Sequence, residues 1–251
     1  MMAAAETAEG RRKRAGRILV LLHKHYANAD CALQFAKAWH LLVATVLSAQ
    51  STDETVNRVT SALFKKYPTP GALMKAPLAE LEQDVYASGF FRQKARNIQR
   101  ICKQLVTEHG GSVPDTMESL VLLPGVARKT ANVVLGTWFK KNEGVVVDTH
   151  VGRIAERLAL SVNARNSKDA VRIERDLMDV LPQREWTFFS HAIIHHGRAL
   201  CSARRLECDL CPLSKQCPSN AAFSEPPPKK QRRRSRQEAS PVARTRSRRK
   251  A

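Results

Sequence analysis

The segment Leu122-Leu123-Pro124-Gly125-Val126-Ala127-Arg128-Lys129-Thr130 decides how the rest of the chain is read. Pro124 cannot continue a helix, because it lacks the N–H donor and its ring clashes with the preceding turn. Gly125 permits a sharp reversal. Apolar spacing predicts a short helix over 117–122 and another over 127–139, so the segment reads as two helices joined by a hairpin. The second helix begins with free backbone N–H groups, and a helix N-terminus approached by glycine is an anion site. Leu123, Pro124, Gly125, Val126 and Ala127 are therefore candidate contacts to a phosphate. An ordinary αα-turn can have the same tetrapeptide, so the neighbouring residues must decide between the two.

Lys129 lies early in that second helix, beside Arg128 and near the positive end of the helix dipole. Positive neighbours disfavour a further positive charge, and an amine attacks only when uncharged. About 20 residues later the apolar run Val145-Val146-Val147 leads into Asp148, at the expected start of another helix. Asp is a common N-cap, and a capping carboxylate is also held rigidly. A lysine and an aspartate together suggest specific chemistry. Breaking an N-glycosidic bond builds positive charge on the sugar, which a carboxylate stabilises. The freed C1′ is an aldehyde equivalent that an amine captures as a Schiff base. The imine acidifies the C2′ proton, and the 3′ phosphate can then leave by β-elimination.

The charge balance fits such a substrate. The 251 residues carry a formal net charge of +19, which calls for a polyanion, either nucleic acid or an anionic membrane surface. No apolar run approaches the roughly 18 residues of a membrane span. The N-terminal MMAAAETAEGRRKR has no apolar core after its charges and so does not resemble a secretory signal. The expectation is a cytoplasmic, nucleoid-associated monomer with reduced cysteines and no membrane partner. Residues 221–251 hold eleven Lys or Arg against two Glu and open with three prolines at 226–228. Such a segment cannot build a core and is expected to be a disordered basic tail. Residues 1–16 are likewise expected to be a disordered basic N-terminus, although the pattern over 11–26 also fits a basic amphipathic helix.

Between these ends the pattern is all-α, with many short helices. Helical spacing is expected over 51–67, with Ser51 or Thr52 as N-cap, and over 78–86, 93–108, 167–181 and 184–198. Residues 36–47 are mostly apolar. Residues 145–147 look like a strand, but one isolated extended segment makes no sheet. No internal repeat is present.

Cys201, Cys208, Cys211 and Cys217 lie within 17 residues in the spacing C-x6-C-x2-C-x5-C. Four cysteines this close read as one metal site, either zinc or an iron–sulfur cluster. Only one C-x2-C pair is present, and paired knuckles would favour zinc, so a single loop around a cube-shaped cluster fits better. The intervening SARRLE would then present Arg204 and Arg205 outward to meet phosphates. Cys31 and Cys102 have no nearby partners and read as small packing residues.

Taken together, LPGVARKTANVVL, then VDTH, then the four-cysteine loop resemble the endonuclease III family, the iron–sulfur branch of the helix–hairpin–helix DNA glycosylases. The likeness covers roughly residues 17–220, with the motifs in the family's order and spacing. It implies a two-lobed all-α fold: a six-helix barrel over about 38–145, with the hairpin at about 117–139, and an iron–sulfur lobe of 17–37 plus 146–220. It also implies a [4Fe-4S] cluster on the four cysteines and a partner of double-stranded DNA containing damaged bases or abasic sites. The family's catalytic lysine and aspartate fall on Lys129 and Asp148. LSAQSTD resembles the segment whose glutamine, here Gln50, fills the gap left by a flipped nucleotide. SGFFRQKARNI resembles the loop that wedges the opposite strand, and Phe90 stands where the family often has leucine. Ala127 stands where it commonly has glycine. The implied activity is removal of oxidised pyrimidines followed by cleavage at the abasic site. The alternatives are a monofunctional adenine or mismatch glycosylase of the same superfamily and a noncatalytic helix–hairpin–helix DNA-binding protein.

Overall fold

A computed structural model describes residues 6–220, and the basic tail at 221–251 lies outside the described residues. Helix α1 spans Ala8–His25, α2 Ala38–Leu47, α3 Asp53–Lys66, α4 Pro70–Lys75, α5 Leu78–Asp84 and α6 Phe91–Glu108. Then come α7 (Met117–Val121), α8 (Arg128–Thr137), α9 (Thr149–Arg157), α10 (Ala170–Val180) and α11 (Trp186–Ala199). Among the described residues there is no strand ladder, only an isolated antiparallel bridge between Cys201 and Leu206. Residues 145–147 are buried without pairing to a strand. No described helix is long and apolar enough to cross a membrane.

The helices surround two apolar cores. The first is built by α2–α8, and includes Leu41, Leu42, Val56, Leu63, Ile98, Leu105 and Leu135. Helix α2 is apolar on nearly all sides and buries eight of its ten residues, as a helix at the centre of a core must. Helix α6 is amphipathic and buries Ile98, Ile101 and Leu105 at helical spacing. Burying each such side chain stabilises by about 1.5–3 kcal/mol relative to exposing it. Helix α3 is capped by Thr52, whose hydroxyl accepts the Thr55 N–H.

The second core joins α1 to α9, α10 and α11, with Ile18, Leu22, Ile154, Leu177 and Phe189 at its centre. The chain thus leaves this lobe after α1, builds the other, and returns before α9. Two boundaries differ from those expected. Leu33 and Phe35 pack on the first core, and Val145 belongs to the second.

The disordered N-terminus expected over 1–16 is corrected by α1, which already starts at Ala8. Its cap explains why: the Thr7 hydroxyl accepts the Gly10 N–H, and Glu9 sits in the positive first turn. Arg14, buried in α1, pairs with Glu6 and donates to the carbonyls of Leu158, Ala159 and Gln216. A chain that reads as solvated charge is fixed by tertiary partners.

Candidate DNA-repair site and cysteine cavity

The hairpin is anchored by the side chains that flank its turn. Leu123 and Val126 are buried, and the Val126 N–H donates to Leu123 O at 3.0 Å. Gly125 has φ +77, and a β-carbon there would stand 2.3 Å from Asn97 Nδ2. Both the backbone conformation and the neighbour therefore require glycine. Ala127 is the N-cap of α8, in extended conformation, and supplies no side-chain acceptor. It is not a first-turn residue, as its helix propensity would suggest. Alanine is a poor N-cap, so the first N–H groups of α8 keep no internal partner there and remain available to an anion. Ala127, Arg128 and Lys129 are exposed around this end.

Lys129 forms no ion pair or side-chain hydrogen bond among the described residues, so its amine is free. Arg128 beside it is anchored instead, donating from Nε to Glu174 Oε1 at 3.0 Å and from Nη2 to Glu143 O at 3.1 Å. Asn132, one turn on, donates to the same Glu174 oxygen at 2.9 Å. Glu174 lies on α10, so this pair of bonds ties the Lys129 helix to the other lobe.

Asp148 is the half-buried N-cap of α9. Its Oδ1 accepts the His150 and Val151 N–H groups, both at 2.8 Å. Oδ2 has no hydrogen-bond partner among the described residues. One oxygen fixes the carboxylate and the other stays open. His150 follows, its Nδ1 accepting from Arg153 Nη2 at 3.1 Å. Burial pulls the His150 pKa down, and Arg153 and Arg198 add to this against the pull of Asp148.

Between the lobes lies a polar cavity of about 470 Å³ lined by Ser51, Thr52, Asp53, Asn57, His150 and Arg198, among others. Arg198 Nη2 of α11 meets Asp53 Oδ2 of α3 across it at 2.7 Å. Sequence neighbours of Gln50 and Asp148 thus face one cleft. Gln50 and Phe90 are both exposed and both left-handed, with φ 55 and 47. For residues with a β-carbon that conformation costs about 1–2 kcal/mol each. Phe90 is 68 % exposed, and Leu122 on the hairpin 75 %.

The four cysteines line a second cavity with apolar walls from Ile154, Leu158, Leu200, Leu206 and Leu213. Arg157 Nη1 donates to Cys201 Sγ at 3.1 Å, and Arg153 Nη2 donates to Cys201 O at 2.9 Å. His196 is buried and its pKa falls to about 4 through loss of hydration. The neutral ring is hydrogen-bonded at Nδ1 to the Tyr26 hydroxyl, 2.8 Å away, and its Nε2 lies 3.7 Å from Cys211 Sγ. Burial, reinforced by the neighbouring sulfurs, pushes the Cys211 thiol up to about 11. Burial likewise raises the Cys208 and Cys217 thiols, and a bound cation would favour their thiolates. Among the described residues no three His, Cys, Asp or Glu side chains are grouped to hold a single ion. Arg204 and Arg205 are exposed on the intervening loop, and Arg205 pairs with Glu207. Cys31 and Cys102 lie apart from this quartet, packed on the first core.

Sequence reasoning missed Glu174, Arg153, Arg157, Arg198 and Lys94. Each is a charge whose partner lies far along the chain. A signal existed for Lys94 alone, which continues the buried stripe of Ile98, Ile101 and Leu105 one turn earlier.

The hairpin offers open N–H groups at the start of α8, which also holds the free Lys129, and the rigid Asp148 starts α9; this is the local architecture expected of a helix–hairpin–helix DNA glycosylase. In agreement, residues 43–183 match the family model described as HhH-GPD superfamily base excision DNA repair protein. Endonuclease III of Synechocystis sp. is 50% identical over 212 residues, covering 84% of this chain and 95% of that protein. Endonuclease III of Bacillus subtilis is 41% identical, covering 76% and 86%. A solved endonuclease III trapped as a covalent intermediate with DNA superposes with a TM-score of 0.79 at 39% identity, over 85% of this chain and 99% of that one. A non-covalent endonuclease III–DNA complex gives 0.78 at 40% identity, over 84% and 97%. The chain belongs to the endonuclease III family.

Proposed function

We infer that this protein excises oxidised pyrimidines from double-stranded DNA and then cleaves the backbone at the abasic site. The observation that carries this reading is the free Lys129 amine at the open N-terminus of α8, together with a rigidly held Asp148 carboxylate at the N-terminus of α9. The hairpin N–H groups hold a phosphate next to the lesion. Gln50 fills the space of the flipped nucleotide and Phe90 wedges the opposite strand. Asp148 Oδ2 stabilises positive charge on the sugar as the base departs with the glycosidic electron pair. The Lys129 amine bonds to C1′, and loss of a proton from nitrogen and of the O4′ bond gives the Schiff base. Removal of a C2′ proton expels the 3′ phosphate, and water then releases Lys129. That a related endonuclease III was trapped in covalent linkage to DNA supports an amine nucleophile.

Cys201, Cys208, Cys211 and Cys217 are the residues that would hold a [4Fe-4S] cluster. Their side chains line one cavity, and a single C-x2-C pair within one loop favours a cluster over zinc. Held there, a cluster would have a structural role, fixing the loop on which Arg204 and Arg205 are exposed to meet the backbone. The protein is proposed to act as a monomer on cytoplasmic, nucleoid DNA.

The test is borohydride trapping on duplex DNA bearing thymine glycol or an abasic site. Wild type should form a covalent adduct and Lys129→Ala none. An undiminished adduct with Lys129→Ala would falsify the nucleophile assignment.

A further inference from the structure

Helix α6 buries a charge where its pattern calls for a hydrophobic residue. Lys94 is only 5 % exposed and shares the buried face with Ala95, Ile98 and Ile101. An ammonium withdrawn from water requires partners. Nζ has two, both backbone carbonyls: Leu47 O at 2.8 Å and Ser88 O at 2.6 Å. Burial lowers the Lys94 pKa, as expected of a desolvated ammonium.

These two carbonyls stand at the roots of two loops. Leu47 ends α2, and Gln50 follows in a turn closed by the Ser51 N–H on Ser48 O at 3.1 Å. Ser88 ends a 3-10 turn over Tyr86–Ser88, and Gly89 and Phe90 come next. Gln50 and Phe90 are both held left-handed, a conformation that persists only where the surroundings enforce it. The ammonium also faces the negative end of the α2 dipole. Removing it would leave two buried carbonyls unpaired and loosen both loops at once.

We propose that Lys94 is a positioning residue that locks the Gln50 and Phe90 loops in one register, so that plug and wedge enter the duplex together. Being buried, it acts through those two residues. The inference rests on the reading of Gln50 and Phe90 given above.

The test compares two substrates in single-turnover assays: a thymine-glycol duplex, and a single-stranded oligonucleotide with a preformed abasic site, which offers nothing to plug or wedge. Lys94→Met keeps the side-chain length but removes charge and donors. Excision from the duplex should fall on the order of 10–100-fold, the scale of sub-ångström to ångström misplacement, while single-strand cleavage is unchanged. Lys94→Arg, which keeps charge and donors, should recover most of the loss. Wild-type excision by Lys94→Met overturns the proposal. So does an equal fall on both substrates, since that reports a general effect on the catalytic centre. Should Lys94→Met not fold, Lys94→Gln, which keeps a donor for one carbonyl, is judged by the same criteria. Gln50→Ala and Phe90→Ala run in parallel. If both excise at the wild-type rate, the plug-and-wedge reading fails; if they are slow while Lys94→Met is not, only the positioning role fails.

Discussion

The core of α2–α8 is hydrocarbon almost throughout, with Lys94 as its buried charge, whereas the core of α1 and α9–α11 is interrupted by Arg14, Glu174, Asp176, His196 and a cysteine-lined cavity. The first core is stabilised mainly by apolar burial, with Lys94 as a single buried charge on two carbonyls. The second has several buried charges that need their partners in place, and a cysteine-lined cavity. One lobe holds the hairpin and the proposed plug and wedge, Gln50 and Phe90; the other holds Asp148 and the four cysteines. On the proposed reading, the hairpin, plug and wedge stand on the more apolar lobe, while the lobe that completes the site would depend on electrostatic partners and on the proposed cluster.

The largest expected effect tests that dependence. Removing the cluster by iron chelation, or breaking it with Cys211→Ala, should abolish the broad visible absorption. It should also unfold the lobe around Trp186, at a cost on the order of 10 kcal/mol, the scale of structural metal sites. Fluorescence of that lobe unfolding at the wild-type temperature, in protein without visible absorption, would break the contrast. In the other lobe Leu42→Ala should cost about 2–5 kcal/mol in denaturant unfolding, with the absorption of the folded protein unchanged. A change in that absorption would mean that the two cores are not separable.

The smallest effect concerns Asp176. Its carboxylate accepts from Ser161 Oγ, Asn163 Nδ2 and the Val162 and Asn163 N–H groups. Burial alone would raise its pKa, but these bonds outweigh burial and hold it below the ordinary 3.8. A carboxylate depressed in the folded state stabilises the fold above its unfolded value, and that contribution is lost as pH falls through the folded value. Asp176→Asn should therefore cost about 1–3 kcal/mol at neutral pH. The gap to wild type should close only as pH drops below 3.8. A gap that does not vary with pH would show that charge is not what matters there.

Much of the candidate site was legible because its signals are local. Pro124-Gly125 marks a turn whatever surrounds it, four cysteines within 17 residues must lie close together, and Asp148 after an apolar run is a helix start. Arg14 was not legible, and Lys94 only as a charge in line with the apolar stripe of α6. Both look like solvated charges on amphipathic helices, and only partners dozens of residues or more away show that they are buried. Ala127 carried the opposite error: its propensity suggests a helical residue, but Val126 and the hairpin place it at the cap.

The sequence by itself determined the all-α class, the hairpin, the cysteine site and the two residues assigned to the chemistry, because each rests on covalent geometry or on residues close in the chain. Only the tertiary structure decided which charges are interior, how Glu174 ties the Lys129 helix to the opposite lobe, and how one ammonium joins the Gln50 and Phe90 loops. Those outcomes depend on long-range packing, which removes water from particular groups and brings particular carbonyls within reach. No local pattern in the chain encodes that.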